Sequence, residues 1–520
     1  MRTAQEVTWM TVEEQRVFDS MQMMLDIQAK QLDAQAKQLD AQAKQLEAQA
    51  RLIEGQSSQL EYQGKLLEKQ NKQIEELLRK LEERKKDSHN SSKPPSSDGY
   101  GKKPAPKSLN EKSGKKRGGQ PGHQGKGFKI DRKPDEVVDH YPFACEHCPN
   151  RGSCESRCCE SRYVMDLKVE TRLTQHKVME CVCPLQNGST ICGTFPTDVT
   201  STKQYGLNSV ALVSLLSSVG MVSIDRIHQI MDSLGLTISQ GTIQNMLRRF
   251  YSRCKVASER IHEIVMRLPL LNCDETGLRS EGSLHWLHCA CDSRWSYYFF
   301  HKKRGMDAIE EMAVLPGYTG IMVHDCWSPY FKIDTASHAL CGAHIARELV
   351  YAEETLKQPW AGELKALLFE ILREKQTLLA EGAAAFPPER LQKYHDAYAA
   401  LIKEGYEKNP IPEATPQRRG RPYRGKIRAL LDRLNAFQEE FLRFASDWSV
   451  PFTNNEAERS IRFLKIRQKV SGSFRSDACA TQYAEAMSFL SSARKHGVSY
   501  TDAIQRALRN EALSLVNSWA

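Results

Sequence analysis

At 520 residues the chain is too long for a single hydrophobic core, and its 40% apolar and 26% charged content is ordinary for a folded protein facing water. The formal net charge of +9 is concentrated: Lys93 to Lys133 holds 12 Lys/Arg against 3 Asp/Glu, so this stretch carries the whole excess and the remainder is near neutral. Local positive charge with no amphipathic apolar face beside it points to a polyanionic partner, nucleic acid rather than membrane. Met1 to Ser20 lacks the apolar core of a signal peptide, and the most apolar segment, Ser209 to Ile224, is short and broken by serines. The 15 cysteines are therefore expected to be reduced or metal-bound thiols of a cytoplasmic chain, not a disulfide framework.

The first segment, 1–86, is a heptad array. Phe18, Leu25, Leu32, Leu39, Leu46, Ile53, Leu60, Leu67, Ile74 and Leu81 recur every seven residues as d positions, with Ala29, Ala36, Ala43 and Ala50 at a. Such a sustained seam predicts a coiled coil and hence self-association as a homo-oligomer; Ser57, Gly64 and Asn71 at a thin it, and the number of partners stays open. Residues 87–134 change to Pro, Gly, Ser and Lys without periodicity, a flexible basic linker whose Lys115, Lys116 and Arg117 are suited to sequence-independent phosphate contacts.

Residues 135–200 form a cysteine-rich module. Cys145-x2-Cys148, with Cys181-x-Cys183 and Cys192 some thirty residues on, predicts one structural zinc on Cys145, Cys148, Cys181 and either Cys183 or Cys192. In 201–262, two helical stretches from Ser223 and from Gln240 flank Gly-Leu-Thr-Ile-Ser, with Ser239 placed to cap the second. A helix-turn-helix and an ordinary helical hairpin fit this spacing equally well.

The pattern then turns to α/β. Over 263–345, Leu268 to Leu271 reads as a buried strand that delivers Asp274 to its C-terminal end. Ser283 to Cys291 and Ser296 to His301 read as a hairpin, Gly305 to Leu315 as a helix, Gly320 to His324 as a strand ending at Asp325, and His338 to Cys341 as a fifth strand. Three antiparallel strands, a helix and a strand beside the first is the order of an RNase H-like core. Residues 346–450 read as a helical insertion with helices at Leu364–Leu379, Pro388–Glu404 and Ile427–Asp447, and 451–520 as two or three closing helices that carry Glu458.

An acid at the end of a buried strand needs compensation, because an unpaired buried charge is costly. Three carboxylates from separate elements, Asp274, Asp325 and Glu458, can hold two magnesium or manganese ions for phosphodiester chemistry; magnesium keeps several waters and so needs few protein ligands. Glu458 also stands at capping-box spacing from Asn455, and Glu456 competes with it for the third position. Arg462, Lys465 and Lys469 follow Glu458 at helical spacing, with Arg459 beside it, and would form a basic track for a DNA backbone.

The linker SSKPPSSDG…KKRGGQPGHQG, the strands ending CDET and VHDCW, Cys341-Gly-Ala-His344-Ile-Ala-Arg347, and PFTNNEAERSIRFLKIRQKVSGSFRS together resemble the insertion-sequence-66 family of bacterial transposases, the TnpC-type enzymes. The resemblance implies an RNase H-like DDE domain with Asp274, Asp325 and Glu458 on the catalytic positions. In that family's NNxAER pattern Glu456 falls on the variable residue. It further implies a leucine zipper, a zinc module, accessory proteins encoded alongside, double-stranded DNA (transposon ends and target) as substrate, and nucleoid association in a bacterial cytoplasm. Cys341-x2-His344 resembles a C-x2-H motif found after the second Asp in several DDE families. The competing expectations are a non-catalytic DNA-binding or bridging protein, with the carboxylates far apart, and an RNase H-like nuclease without strand transfer.

Overall fold

The computed structural model describes residues 70, 73, 130, 132–150, 153–155, 157–183, 189–410 and 426–520. The chain divides into two compact units, Met1–Lys86 and Asp87–Ala520. In the first, only Gln70 and Gln73 are described, both helical, so the heptad array lies outside the described residues, as do Lys115, Lys116 and Arg117 of the basic linker.

The cysteine-rich module contains one helical turn, α1 (Phe143–Glu146), and an antiparallel hairpin of β1 (Glu180–Cys183) and β2 (Ser189–Cys192). Between them, residues 157–179 form no helix or strand and are exposed throughout. Three helices follow: α2 (Leu207–Ser218), α3 (Ile224–Ser233) and α4 (Gln240–Val265). Ser223 and Ser239 accept the backbone N–H of Arg226 and Thr242 at the starts of α3 and α4, and Gly235 takes up φ +78° in the turn between them. Helix α4 runs 26 residues, well beyond the expected stretch, because Ile243, Met246, Phe250, Cys254, Ala257, Ile261 and Val265 keep one buried face at helical spacing.

The central sheet has β3 (Leu270–Ser280), β4 (Ser283–Cys291), β5 (Ser296–His301), β6 (Ile321–His324) and β7 (Ser337–Leu340), in the order β5-β4-β3-β6-β7. The β3–β4 and β4–β5 pairs are antiparallel, whereas β3–β6 and β6–β7 are parallel. Helix α5 (Met306–Met312) makes the crossover from β5 to β6. One expectation is corrected here: Asp274 does not end its strand. β3 continues six residues past it to Ser280, because β4 pairs with the whole length from Asn272 to Ser280, while β6 reaches only Leu270 to Asn272. Asp274 therefore stands just beyond the point where the parallel neighbour stops.

Beyond β7 come α6 (Gly342–Glu354), α7 (Pro359–Ala380), α8 (Pro388–Lys408), α9 (Lys426–Ala436) and α10 (Gln438–Ser446). The single helix expected over Ile427–Asp447 is two, because Phe437 leaves helical geometry (ψ 34°) and stacks its ring on Phe331 at 4.2 Å. The C-terminal part holds four helices, not two or three: α11 (Asn455–Ser471), α12 (Asp477–Lys495), α13 (Tyr500–Leu508) and α14 (Ala512–Asn517).

Strand alternation sorts these helices into two cores, one on each face of the sheet. Leu271, Cys273 and Met322 point into a core with α2–α4 and α11–α14, where Phe250, Tyr483 and Phe489 are buried. Val323 and Ala339, level on β6 and β7, point into the other, with Trp360, Tyr398 and Leu431 of the α6–α10 layer. Asp274 lies within the central strand β3 and Asp325 just after the neighbouring inner strand β6.

Candidate active site

Asp274 and Asp325 meet through strand register. The parallel pairs Leu270–Ile321, Leu271–Met322 and Asn272–Val323, continued two residues, bring Asp274 and Asp325 level on neighbouring chains. Residues at one level of adjacent strands share a face, so the two side chains project to the same side, and the charge of Asp325 reaches the Asp274 carboxyl. Asp274 accepts the N–H of Glu275 at 2.9 Å, and Asp325 accepts the N–H of Trp327 at 3.0 Å, which turns the chain sharply after β6. Burial first, then the negative charges of Glu275, Asp325 and Glu458, push the Asp274 carboxyl well above the usual carboxylate range.

Glu458 arrives from α11, whose start is pinned to the sheet by Asn454. The buried Asn454 side chain donates to the Cys273 carbonyl at 2.7 Å and accepts from Asn272 at 2.9 Å, and its backbone N–H donates to Cys341 Sγ at 3.2 Å. With Asn454 so engaged, the helix start has no side-chain cap, and Glu458 performs no capping. One carboxylate oxygen, Oε1, is instead buried with no hydrogen-bond partner, 3.7 Å from His344 Nδ1, which is likewise unpartnered. Close approach of α6 to this region needs Gly342: a Cβ there would lie 2.4 Å from the Phe452 ring, and its N–H donates to the Phe452 carbonyl at 2.8 Å. Burial depresses the His344 pKa, but the Cys341 side chain and the negative Glu458 outweigh it and lift it to about 9.

Glu456, the competitor for the third position, faces elsewhere. It pairs with Lys495 at 3.0 Å and Arg459 at 2.9 Å, so Arg459 is already partnered. Arg462, Lys465 and Lys469 are exposed along α11 as the helical spacing requires. Partial burial lowers the Lys465 pKa and the charge of Asp274 opposes this, which brings that lysine within electrostatic reach of the acids.

Sequence reasoning left Glu275 without a role; the structure gives it one. Its side chain is 1% exposed, forked by Arg304 Nε at 2.9 Å and Nη2 at 2.5 Å, and bonded by the Tyr330 hydroxyl at 2.7 Å. Arg304 lies between the Trp286 and Trp327 rings, 4.9 and 4.7 Å from their centroids. Since Trp327 also donates to Asp325, Glu275 braces the Asp325 turn through Arg304 and Trp327. Burial and the nearby Asp325 raise the Glu275 pKa against these donors. Asn454, too, went unassigned. Its only signal was an amide side by side with a second one ahead of an acidic helix start, and that pattern is common at helix ends.

The zinc expectation fares differently. Among the described residues, Cys145, Cys148, Cys181 and Cys192 do not converge: the only group of three or more metal-ligating side chains is Cys341, His344 and Glu458. Cys145 and Cys148 flank the end of α1, while Cys181 and Cys192 lie one register step apart on the hairpin, beyond the exposed 157–179 stretch. The Cys183 side chain lies outside the described residues. A surface hollow of about 530 Å³ lined by His301, Lys302, Lys303, Asp307, Glu310 and Glu311 involves none of the carboxylates above, and its charges largely pair with each other. Among the described residues no helix is long and apolar enough to cross a membrane.

Comparison with known proteins locates this site within a family. The model described as Transposase IS66 family matches residues 203–482, a span that runs from α2 into α12 and includes all three carboxylates. Residues 12–129 match a family of unknown function, DUF6444. A search of curated proteins gives no match.

Proposed function

The chain belongs to the IS66 family of transposases, and from that premise we propose that it is a DDE transposase whose catalytic carboxylates are Asp274, Asp325 and Glu458. The observation that carries the proposal is that β3–β6 register brings Asp274 and Asp325 to one level of adjacent strands, while burial and the charges of Glu275, Asp325 and Glu458 push the Asp274 carboxyl well above its ordinary range. A DNA-bridging protein has no need of that repulsion. We read the sheet as RNase H-like; support comes from the order β5-β4-β3-β6-β7, with an antiparallel β4 between two strands and parallel β6 and β7.

The donor set suits a hard divalent cation: two acids level on adjacent strands and a third with an unpartnered oxygen supply only oxygen ligands. Magnesium or manganese there, two ions per site, would activate the attacking oxygen and neutralise the leaving one. The protein's own part is positioning. Asn454 holds Glu458's helix against β3, and the Glu275–Arg304–Trp327 brace holds the turn that carries Asp325. Arg462, Lys465 and Lys469 would seat the DNA backbone beside the acids, with Arg459 as a lesser contributor because Glu456 engages it.

Beyond the catalytic region, we propose that the heptad array of 1–86 joins copies of the chain and that Lys115, Lys116 and Arg117 add salt-sensitive grip on DNA. A zinc on Cys145, Cys148, Cys181 and Cys183 or Cys192 would require the hairpin and the α1 turn to close on each other. Recognition of terminal inverted repeats and strand transfer are the finer reading, with accessory proteins encoded alongside as further partners. The test is cleavage and joining of DNA carrying the element's ends by the purified full-length protein with Mg2+ or Mn2+. Asp325→Ala is expected to lower the rate about a thousandfold, the several kcal/mol that metal activation is worth. Full activity in that variant would overturn the assignment, and cleavage without joined products would leave a nuclease.

A further inference from the structure

Cys341, His344 and Glu458 each present one ligand atom, and the three atoms lie within 4.8 Å of one another. They come from two helix starts: Cys341 precedes α6, His344 lies in its first turn, and Glu458 in the first turn of α11. His344 Nδ1 and Glu458 Oε1 face each other at 3.7 Å, both buried and without a hydrogen-bond partner. They form an ion pair at a separation too long for a hydrogen bond, beside a thiol, and a cation that binds all three ligand atoms can replace the imidazole's proton there.

The chemistry of the donors narrows the partner. Sulfur, imidazole nitrogen and carboxylate oxygen form a zinc-type set, whereas magnesium takes oxygen alone. Two ligands about 2.0–2.1 Å from one tetrahedral ion lie roughly 3.4 Å apart, close to the observed His344–Glu458 separation, and small side-chain rotations bring in the sulfur. Cys341 also has the outer support typical of metal-bound sulfur: the Asn454 N–H donates to it at 3.2 Å, and Asn454 is itself locked by Asn272 and the Cys273 carbonyl. The His344 and Glu458 side chains remain 23% and 26% exposed, which leaves a route for an ion from solvent.

We propose that Cys341, His344 and Glu458 form a three-ligand site for a zinc-class divalent cation, and that its occupation draws Glu458 away from Asp274 and Asp325. Binding displaces the protons of Cys341 and His344 and leaves a fourth position open for water. The site makes zinc an inhibitor of the same centre that magnesium serves. That consequence rests on the role proposed for Glu458; the binding itself does not.

The experiment is titration of the full-length protein with Co2+ and with Zn2+, following the thiolate-to-cobalt charge-transfer band and the bound equivalents. Because the other cysteines stay intact, the readout is the difference between wild type and single variants. Cys341→Ser and His344→Gln are each expected to lose one equivalent or at least tenfold in affinity at that site, and Asp274→Asn to keep it. Equal stoichiometry and affinity in wild type and both variants would overturn the proposal. Should either variant fail to fold, as judged by its melting transition, Glu458→Gln supplies the same comparison. In the cleavage assay, Zn2+ is expected to inhibit the wild type and to inhibit Cys341→Ser at least tenfold less. If the protein cleaves no DNA at all, the cobalt band still decides the site, so the two proposals fail separately.

Discussion

The α6–α10 layer and the carboxylate site treat buried polar groups differently. In the layer, the Lys375 ammonium is buried but donates to the Phe444 and Val450 carbonyls at 2.9 Å each, and Glu374 is closed off by Arg390 and Tyr394. These two groups are held by donors and acceptors that match them, although Arg428 Nε and Arg433 Nε of α9 are buried without a hydrogen-bond partner. Around Asp274 the charges of three other acids act on a buried carboxyl, and His344 Nδ1 and Glu458 Oε1 form an ion pair at 3.7 Å with no hydrogen bond to either atom. Buried polar groups are normally satisfied, and the exceptions concentrate where a protein acts.

Substitution at the carboxylate site tests this contrast most strongly. Asp274→Asn is expected to lower strand cleavage about a thousandfold while leaving the melting temperature unchanged or raised, because it relieves repulsion among acids. A fall in melting temperature would mean that Asp274 is a structural acid like Glu374, and the contrast would collapse. Acid sensitivity separates the regions next. His288 of β4 is buried, and desolvation lowers its pKa from 6.5 to about 4. The unfolded chain thus binds a proton below pH 6.5 that the folded chain refuses until about pH 4, so stability falls as pH drops through that window. The loss reaches up to about 3 kcal/mol by pH 4, and His288→Gln is expected to flatten the dependence in denaturant unfolding at stepped pH.

Arg304→Met sharpens the comparison from the other side, because Glu275 would lose its fork and keep only Tyr330. A buried acid stripped of its partner is expected to cost about 2 kcal/mol of unfolding free energy, Arg304 being partly exposed, and to impair cleavage through the Asp325 turn. Glu374→Gln in the helical layer is the smallest change. Its partner Arg390 is 42% exposed, so screening limits the loss to under about 1 kcal/mol, with cleavage unchanged. A large drop in cleavage from Glu374→Gln would show that the layer shares in the chemistry.

Much of this was legible along the chain. The periodicity of apolar residues located β4 and β5 to the residue and the helices of the layer closely, because alternation and 3.6-residue spacing are local consequences of burying one face. Asp325 and Glu458 were legible as acids at element ends within a distinctive order of motifs. The end of β3 was not, because continuation past Asp274 depends on β4 lying alongside, and no property of CDETGLRS announces that neighbour. The break at Phe437 was hidden for a similar reason: the ring leaves a good helical sequence to stack on Phe331, a partner from across the core. The zinc expectation on Cys145, Cys148, Cys181 and Cys183 or Cys192 stays an expectation: the described thiols form no ligand group, and the Cys183 side chain lies outside the described residues.

By itself, then, the sequence determined the inventory: the family, the α/β alternation and the acids to be weighed as candidates. Only the tertiary structure decided which side chains face one another. Register between β3 and β6 makes neighbours of Asp274 and Asp325, the Asn454 amide draws α11 onto β3, and Gly342 admits Phe452 so that α6 packs close to it. These contacts join residues far apart in the chain, and the physical terms behind them, strand pairing, buried hydrogen bonds and close packing, depend on distances in space that sequence separation does not encode.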